Sequence, residues 1–183
     1  MPENLIRIRE PNDKRFPKFY EFLKRNYVAS LVDPERIIRQ ELGETNDGNY
    51  KTPHAIVVAE DKGRIVAAAS GNLLPIDYQR GGRDIGIVFL SYLPPEIKGN
   101  EQQVGRAVGE LERILAGFAS KRDMVAPVTI LEAEPDKVGF YEALGFKTLQ
   151  GVNYHQPPLD WSEDGRALSK PEHLLLMAKP IEG

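Results

Sequence analysis

Two short segments and a pair of carboxylates carry the reactive side chains of this sequence. In Phe140-Tyr141-Glu142-Ala143-Leu144-Gly145-Phe146 a tyrosine stands on a short helix just after a strand-like run, and Gly145 is a natural left-handed stop for that helix. Upstream, Leu93-Pro94-Pro95-Glu96-Ile97-Lys98-Gly99-Asn100 and then Gln103-Val104-Gly105-Arg106-Ala107-Val108 read as strand end, glycine-containing turn and helix start. A helix start presents N–H groups without helical partners at the positive end of its dipole, which is what a phosphate or pyrophosphate requires. Glycines let the backbone approach such a group, and Lys98 or Arg106 can add charge-assisted contacts. Glu132 and Glu134 leave the strand ahead of Tyr141 on one face, with Leu131 and Ala133 on the other. A carboxylate there can take a proton from a nucleophile, and a phenol, with an ordinary pKa of about 10, can donate one.

Composition narrows the chemistry. The 183 residues fit one domain spanning residues 1–183, long enough to bury a core. With 24 basic and 27 acidic residues and a net charge of -3, no charge block marks a nucleic-acid or membrane partner. The absence of cysteine excludes disulfides, a thiol nucleophile and cysteine-ligated metal, and the histidines at 54, 155 and 173 share no ligand-like spacing, so no metal is expected. The N-terminal residues show no basic segment leading into an apolar one and no run approaches a membrane span, so a cytoplasmic protein is expected.

The elements that must position these residues can be read from periodicity. Leu5 to Arg9 alternates as a first strand, and Phe16, Phe19, Tyr20, Leu23 and Tyr27 form one helical stripe. Asp33-Pro34 starts a second helix that should end near Gly43. His54 to Glu60 and Arg64 to Leu74 predict a hairpin turning at Asp61-Lys62-Gly63. Gln79 to Asp84 reads as a polar loop, and Ile85 to Leu93 as the next strand, ended by Pro94 and Pro95. Val104, Val108, Leu111, Leu115 and Phe118 share one face of a helix running to about Lys121. Val128 to Ala133 is a buried strand, Asp136 to Leu144 a short helix on which Phe140 and Leu144 face the core and Tyr141 a cleft, Phe146 to Asn153 a strand, and His173 to Ala178 the last strand.

The tyrosine-glycine segment and the glycine turn, in this order, resemble the GNAT superfamily of acyl-CoA-dependent N-acyltransferases, and the resemblance runs from about Ile6 to Ala178. It implies a mixed α/β fold, α+β-like: a central sheet of about seven strands, splayed between the fourth and fifth and flanked by about four helices. The implied activity is transfer of an acetyl group from acetyl-CoA to a primary amine of a small acceptor, directly in a ternary complex and without a metal. In one alignment Glu101 and Gln102 lengthen the cofactor turn and Gln103 stands where a glycine is usual; another reads Gln102 to Ala107 as the family's Gln-x-x-Gly-x-Ala pattern.

By this resemblance Ser91, Tyr92, Leu93, Lys98, Gly99, Asn100, Gln103, Val104, Gly105, Arg106 and Tyr141 meet the cofactor, and backbone donors of the fourth strand polarise the thioester carbonyl. Glu134 stands where many relatives carry an asparagine that meets the cofactor. Tyr141 is the implied donor to the departing thiolate; Glu132 is the first candidate for the base and His155 the second. Tyr20, Tyr27, Tyr154 and His155, with Trp161, belong to the acceptor side. A GNAT-like module that binds acyl-CoA as a sensor without transfer fits the same residues, and open sheet edges are compatible with a homodimer.

Overall fold

Apolar runs of strand length alternate with amphipathic helical stretches, and in the computed structural model they form a mixed sheet with helices on both faces. The structure describes residues 4–27, 32, 34–46, 52–80, 82–93, 101–152, 154–156 and 172–181. β1 (Asn4–Ile8) is followed by α1 (Phe16–Asn26) and α2 (Glu35–Asn46), then by β2 (His54–Asp61), β3 (Arg64–Arg80) and β4 (Arg83–Tyr92). Next come α3 (Glu101–Lys121), β5 (Met124–Ala133), a 3-10 turn at Pro135–Lys137, α4 (Val138–Ala143), β6 (Lys147–Thr148), β7 (Tyr154–Gln156) and β8 (Glu172–Pro180). The strand order is β1-β2-β3-β4-β5-β8-β6, with β7 also paired to β8. β4 and β5 are parallel, and the other pairs are antiparallel. This is the mixed sheet with four helices that the sequence pattern led us to expect.

Alternation along the central strands divides the core in two. Ala55, Val57 and Ala59 of β2 pack with Val104, Val108, Leu111 and Leu115 of α3, and with Tyr141 and Phe146. Ile56 and Val58, on the opposite face, pack with Phe16, Phe19 and Leu23 of α1 and Ile38 and Leu42 of α2. Phe16, Phe19 and Leu23 are fully buried, and each contributes about 1.5–3 kcal/mol by leaving water. On the α3 side, Glu112 is buried and its Oε1 accepts from Thr129 Oγ1 of β5 at 2.7 Å and meets Lys179 Nζ of β8 at 3.0 Å. This three-point contact fastens α3 across two strands.

Several boundaries differ from the sequence reading. β3 continues to Arg80, so most of the segment expected to be a loop from Gln79 to Asp84 is strand: Gln79 pairs with Asp84 and Arg80 with Arg83 about a tight turn in which Gly82 has φ +78°. Cross-strand pairing overrides the polarity of those residues. α2 passes Gly43 and ends at Asn46, because Gly43 packs near Pro11 and the helix keeps Leu42 in the core. α3 begins at Glu101, so Glu101, Gln102 and Gln103 are helical rather than part of a turn. Of the strand expected from Phe146 to Asn153 only Lys147–Thr148, β6, forms; β7 starts beyond it at Tyr154, pairs with the same β8, and is separated from β6 by a stretch in which Gly151 has φ +75°. The hairpin turn at Lys62-Gly63 is as expected, with both residues at positive φ.

One irregularity shapes the end of β4. Ser70 pairs with Tyr92 but Gly71 pairs with Leu90, so Ser91 is an extra residue that bulges from the strand. Gly71 permits this, since a Cβ there would run into the Phe89 carbonyl oxygen. Gly71→Ala should therefore lose about 1–3 kcal/mol of unfolding free energy in urea, the usual cost of overpacking. An unchanged midpoint would mean that the bulge does not depend on this glycine.

Candidate functional site

β4 and β5 run side by side from Asp84↔Met124 to Phe89↔Ile130, and their register goes no further among the described residues. β5 instead continues with β8, through Leu131↔Met177, Glu132↔Leu176 and Ala133↔Leu175. β4 continues to Tyr92 against β3. The two parallel strands thus part just where Ser91 bulges, leaving a slot between them that ends at Leu93.

Both polar groups of Leu93 are held by phenols. Its N–H donates to Tyr27 Oη at 2.6 Å, and its carbonyl accepts from Tyr141 Oη at 3.3 Å. Tyr27 follows α1 in an extended conformation and packs with the α1/α2 core, its ring edge-on to Tyr92 at 5.7 Å. Tyr141 comes from α4 and the opposite core layer, between Phe140 at 5.3 Å and Phe146 at 6.5 Å. One residue at the end of β4 therefore joins the two layers. A buried residue needs partners for both its backbone groups, and here side chains supply what a neighbouring strand would.

Burial pushes the Tyr141 phenol well up from its ordinary range, and the nearby Glu134 carboxylate pushes it further in the same direction. Tyr27 is raised well above the ordinary value too, by burial first and then by the field of Tyr141. Both phenols keep their protons across the working pH range. The 3.3 Å bond from Tyr141 is long for a hydroxyl donor, so its hydrogen bond to Leu93 is weak.

The candidate residues separate into several groups. Ser91, Tyr92, Leu93, Tyr27 and Tyr141 meet at the slot; Ser91 Oγ donates to Asn72 Oδ1 at 3.0 Å and Tyr92 is buried. Tyr141 is not on the open side of α4 as expected: it is 6 % exposed while Phe140 and Leu144 are only half-buried, because the short helix turns this ring, not its neighbours, towards Leu93. Glu132 is half-buried on the face of β5 away from Leu131 and Ala133, and Glu134 is exposed at the start of the 3-10 turn. Tyr20 packs against the α1/α2 core with Lys24 Nζ 5.2 Å from its ring centre. Gln103 is half-buried, Val104 lies in the core and Arg106 is exposed on α3, so Val104 can serve a ligand only through its backbone. The backbone of Tyr154 and His155 lies in β7, opposite Leu174 and His173. Lys98, Gly99, Asn100 and Trp161 lie outside the described residues.

A cleft of about 350 Å³ lies beside the start of α3, lined by Glu101, Gln102, Gly105 and Val108, by Ala143 and Leu144 of the α4 end, and by Lys179. Leu144 Cδ2 would be 3.6 Å from a Cβ at Gly105, so a larger residue would narrow this cleft. Sequence reasoning did not find Lys179, which comes from β8.

Nor did it find a buried polar array on the other face. His54 Nε2 is 2.8 Å from Ser70 Oγ and its Nδ1 is 2.7 Å from Glu41 Oε2, while its backbone N–H donates to Thr45 Oγ1 at 2.8 Å. Ser70 is fully buried, so this hydroxyl cannot attack a ligand from solvent; the array ties α2 to β2 and β3. A sequence signal for it exists: Thr45, His54 and Ser70 are polar at core-facing positions. Among the described residues no three histidine, aspartate or glutamate side chains form a metal-binding group, and no helix is long and apolar enough to cross a membrane.

No family model matches this chain, and no curated protein matches it in sequence. Solved structures do match it. Aminoglycoside 6'-acetyltransferase type Ii is 19% identical over 98% of both chains, with a TM-score of 0.57. The acetyltransferase of GNAT family from Streptococcus pneumoniae is 15% identical over 98% of this chain and 100% of its own, also with a TM-score of 0.57. The PaiA N-acetyltransferase from Thermoplasma acidophilum, in complex with coenzyme A, is 11% identical over 97% of this chain and 99% of its own, with a TM-score of 0.56. Identities this low establish a common fold.

The His54 array gives a stability prediction. His54→Leu leaves Ser70 and Thr45 in place but removes the ring that satisfies the buried hydroxyl, and should lower unfolding free energy by about 1–3 kcal/mol in urea titration. An unchanged transition would show that the array contributes nothing to the fold.

Proposed function

We propose that this chain, which has the GNAT fold, is an acyl-CoA-dependent N-acetyltransferase acting on a primary amine of a small acceptor. The observation that carries this reading is the parting of β4 from β5 after Phe89↔Ile130, with a protonated phenol at the end of the slot. An extended amide-bearing chain such as pantetheine can enter a slot of that kind and bond to strand backbone as an added strand would. The α3 start supplies N–H groups for a pyrophosphate, with Gly105 and Arg106 close behind and the cleft beside Glu101 and Lys179 for the rest of the nucleotide. Lys98, Gly99 and Asn100 precede that helix and are assigned to the same role. That a structure of the same fold was determined with coenzyme A supports the choice of cofactor. The likeness to an aminoglycoside 6'-acetyltransferase supports a small amine as acceptor.

In this mechanism an unprotonated amine attacks the thioester carbonyl carbon, and the carbonyl electron pair moves to oxygen as the C–N bond forms. Collapse of the oxyanion breaks the C–S bond. Tyr141, whose hydrogen bond to Leu93 is weak, gives its proton to the thiolate, and the proton lost from nitrogen passes to Glu132, on the half-buried face of β5. Solvent then restores both groups. Tyr20, Tyr154 and His155 lie on the acceptor side, with Glu134 near enough to the phenols to keep them protonated.

Calorimetric titration with acetyl-CoA, free CoA and a longer acyl-CoA tests the reading directly. Saturable binding that depends on the acyl group is expected, and no binding to any of the three would overturn it. Once an amine that turns over is found, Tyr141→Phe should lower kcat by about 10²–10⁴-fold with acetyl-CoA affinity retained. Binding without transfer across polyamines and aminoglycosides would instead support a sensor.

The pH profile has a definite sign. Because burial and Glu134 raise the Tyr141 pKa, its acidic form persists, so kcat should rise with pH as the amine loses its proton and show no phenol-linked fall below pH ~10. A fall in kcat near neutral pH that disappears in Tyr141→Phe would contradict this assignment.

A further inference from the structure

A carbonyl that becomes an oxyanion needs a hydrogen-bond donor aimed at it from a preorganised site. At the end of β4 the obvious backbone donor is Leu93 N–H, and it is already engaged by Tyr27 Oη at 2.6 Å. One N–H serves one acceptor well, so the peptide cannot bond fully to both the phenol and a thioester. The phenol, however, is an acceptor and a donor at once. With a lone pair used by Leu93, its own proton remains to be given. The carbonyl of the same residue is engaged too, since Tyr141 donates to the Leu93 carbonyl.

From this arrangement, and resting on the acetyltransferase reading, we infer that the Tyr27 hydroxyl is the donor that holds the thioester carbonyl oxygen, with Leu93 N–H behind it as the group that orients and polarises it. Tyr27 is then a catalytic residue and not only a wall of the acceptor site. Three observations favour a ring that stays in place over one that swings aside to free Leu93. The ring packs into the α1/α2 core, it meets Tyr92 edge-on at 5.7 Å, and it begins directly after α1, whose Phe16, Phe19 and Leu23 are fully buried. Burial and the field of Tyr141 keep the hydroxyl protonated, which a donor requires. A donated hydrogen bond strengthens as charge builds on the carbonyl oxygen and is relieved as the C–S bond breaks, so the gain falls on kcat rather than on binding. The two phenols divide the work: Tyr27 serves the oxygen, and Tyr141 serves the sulfur.

The test uses the full chain and [1-13C]acetyl-CoA, read by difference infrared spectroscopy, and needs no amine acceptor. In wild type the bound carbonyl band should lie below that of the free thioester, as a hydrogen-bonded carbonyl does. In Tyr27→Phe, which keeps the ring, the band should return towards the free position while the calorimetric Kd for acetyl-CoA changes less than about threefold. With an active amine, kcat should fall on the order of 10²–10³-fold, the loss seen when an oxyanion donor is removed. If that variant does not fold, 3-fluorotyrosine placed at position 27 keeps the hydroxyl and makes it a stronger donor, and the band should move further down. A carbonyl band unchanged in both variants would overturn the role of Tyr27 and leave the transferase reading standing. A lower band or a higher kcat in Tyr27→Phe would overturn it too, by showing that the phenol blocks Leu93 N–H. Failure of wild type to bind acetyl-CoA would sink the transferase reading, and this inference with it.

Discussion

The parting of β4 and β5 is the constraint on which the rest of the molecule depends. A strand that loses its neighbour leaves N–H and C=O groups to be satisfied by something else, and a buried strand end cannot leave them bare. Here the answer is two phenols, one from each face of the sheet, on the N–H and the carbonyl of Leu93. The arrangement closes the strand end in the protein's own structure and places two protonated hydroxyls at the end of the slot. Structural need and chemical capacity coincide at one residue.

The parting is itself held by contacts elsewhere. The bulge at Ser91, permitted by Gly71, turns the end of β4 away from its parallel neighbour. β5 is kept on the other course by β8, and Glu112 fastens α3 to both strands through Thr129 and Lys179. A buried carboxylate with a hydroxyl and an ammonium group costs desolvation, but its geometry is specific, so α3 is held in one position relative to β5 and β8. On the opposite face the His54 array does the same for α2 against β2 and β3. The slot is thus a fixed feature bounded by two anchored helical layers.

Electrostatics around the slot follow from burial more than from charge. The chain is close to neutral overall, and the strongest local influence on the phenols is loss of water, with Glu134 adding to it. Desolvation keeps a phenol protonated and so able to donate a hydrogen bond.

Much of this was legible in the amino-acid sequence, for local reasons. The three- and four-residue spacing of Phe16, Phe19 and Leu23 specifies a helix face whatever its neighbours, and Lys62-Gly63 and Gly145 specify turns because positive φ favours such residues. The order of elements and the tyrosine before Gly145 were enough to point to the fold. What local pattern could not carry was any pairing between distant segments. The extension of β3 to Arg80 rests on cross-strand partners, and the division of β6 from β7 rests on β8. The α3 start at Glu101, the Lys179 side of the cleft and the His54–Ser70 contact likewise need elements far apart in the chain to meet. Tyr141 and Tyr27 were both readable as candidate residues. That they close on the N–H and the carbonyl of one residue was decided only by tertiary structure, because 66 residues separate Tyr27 from Leu93 and 48 separate Leu93 from Tyr141, and no sequence period spans such distances.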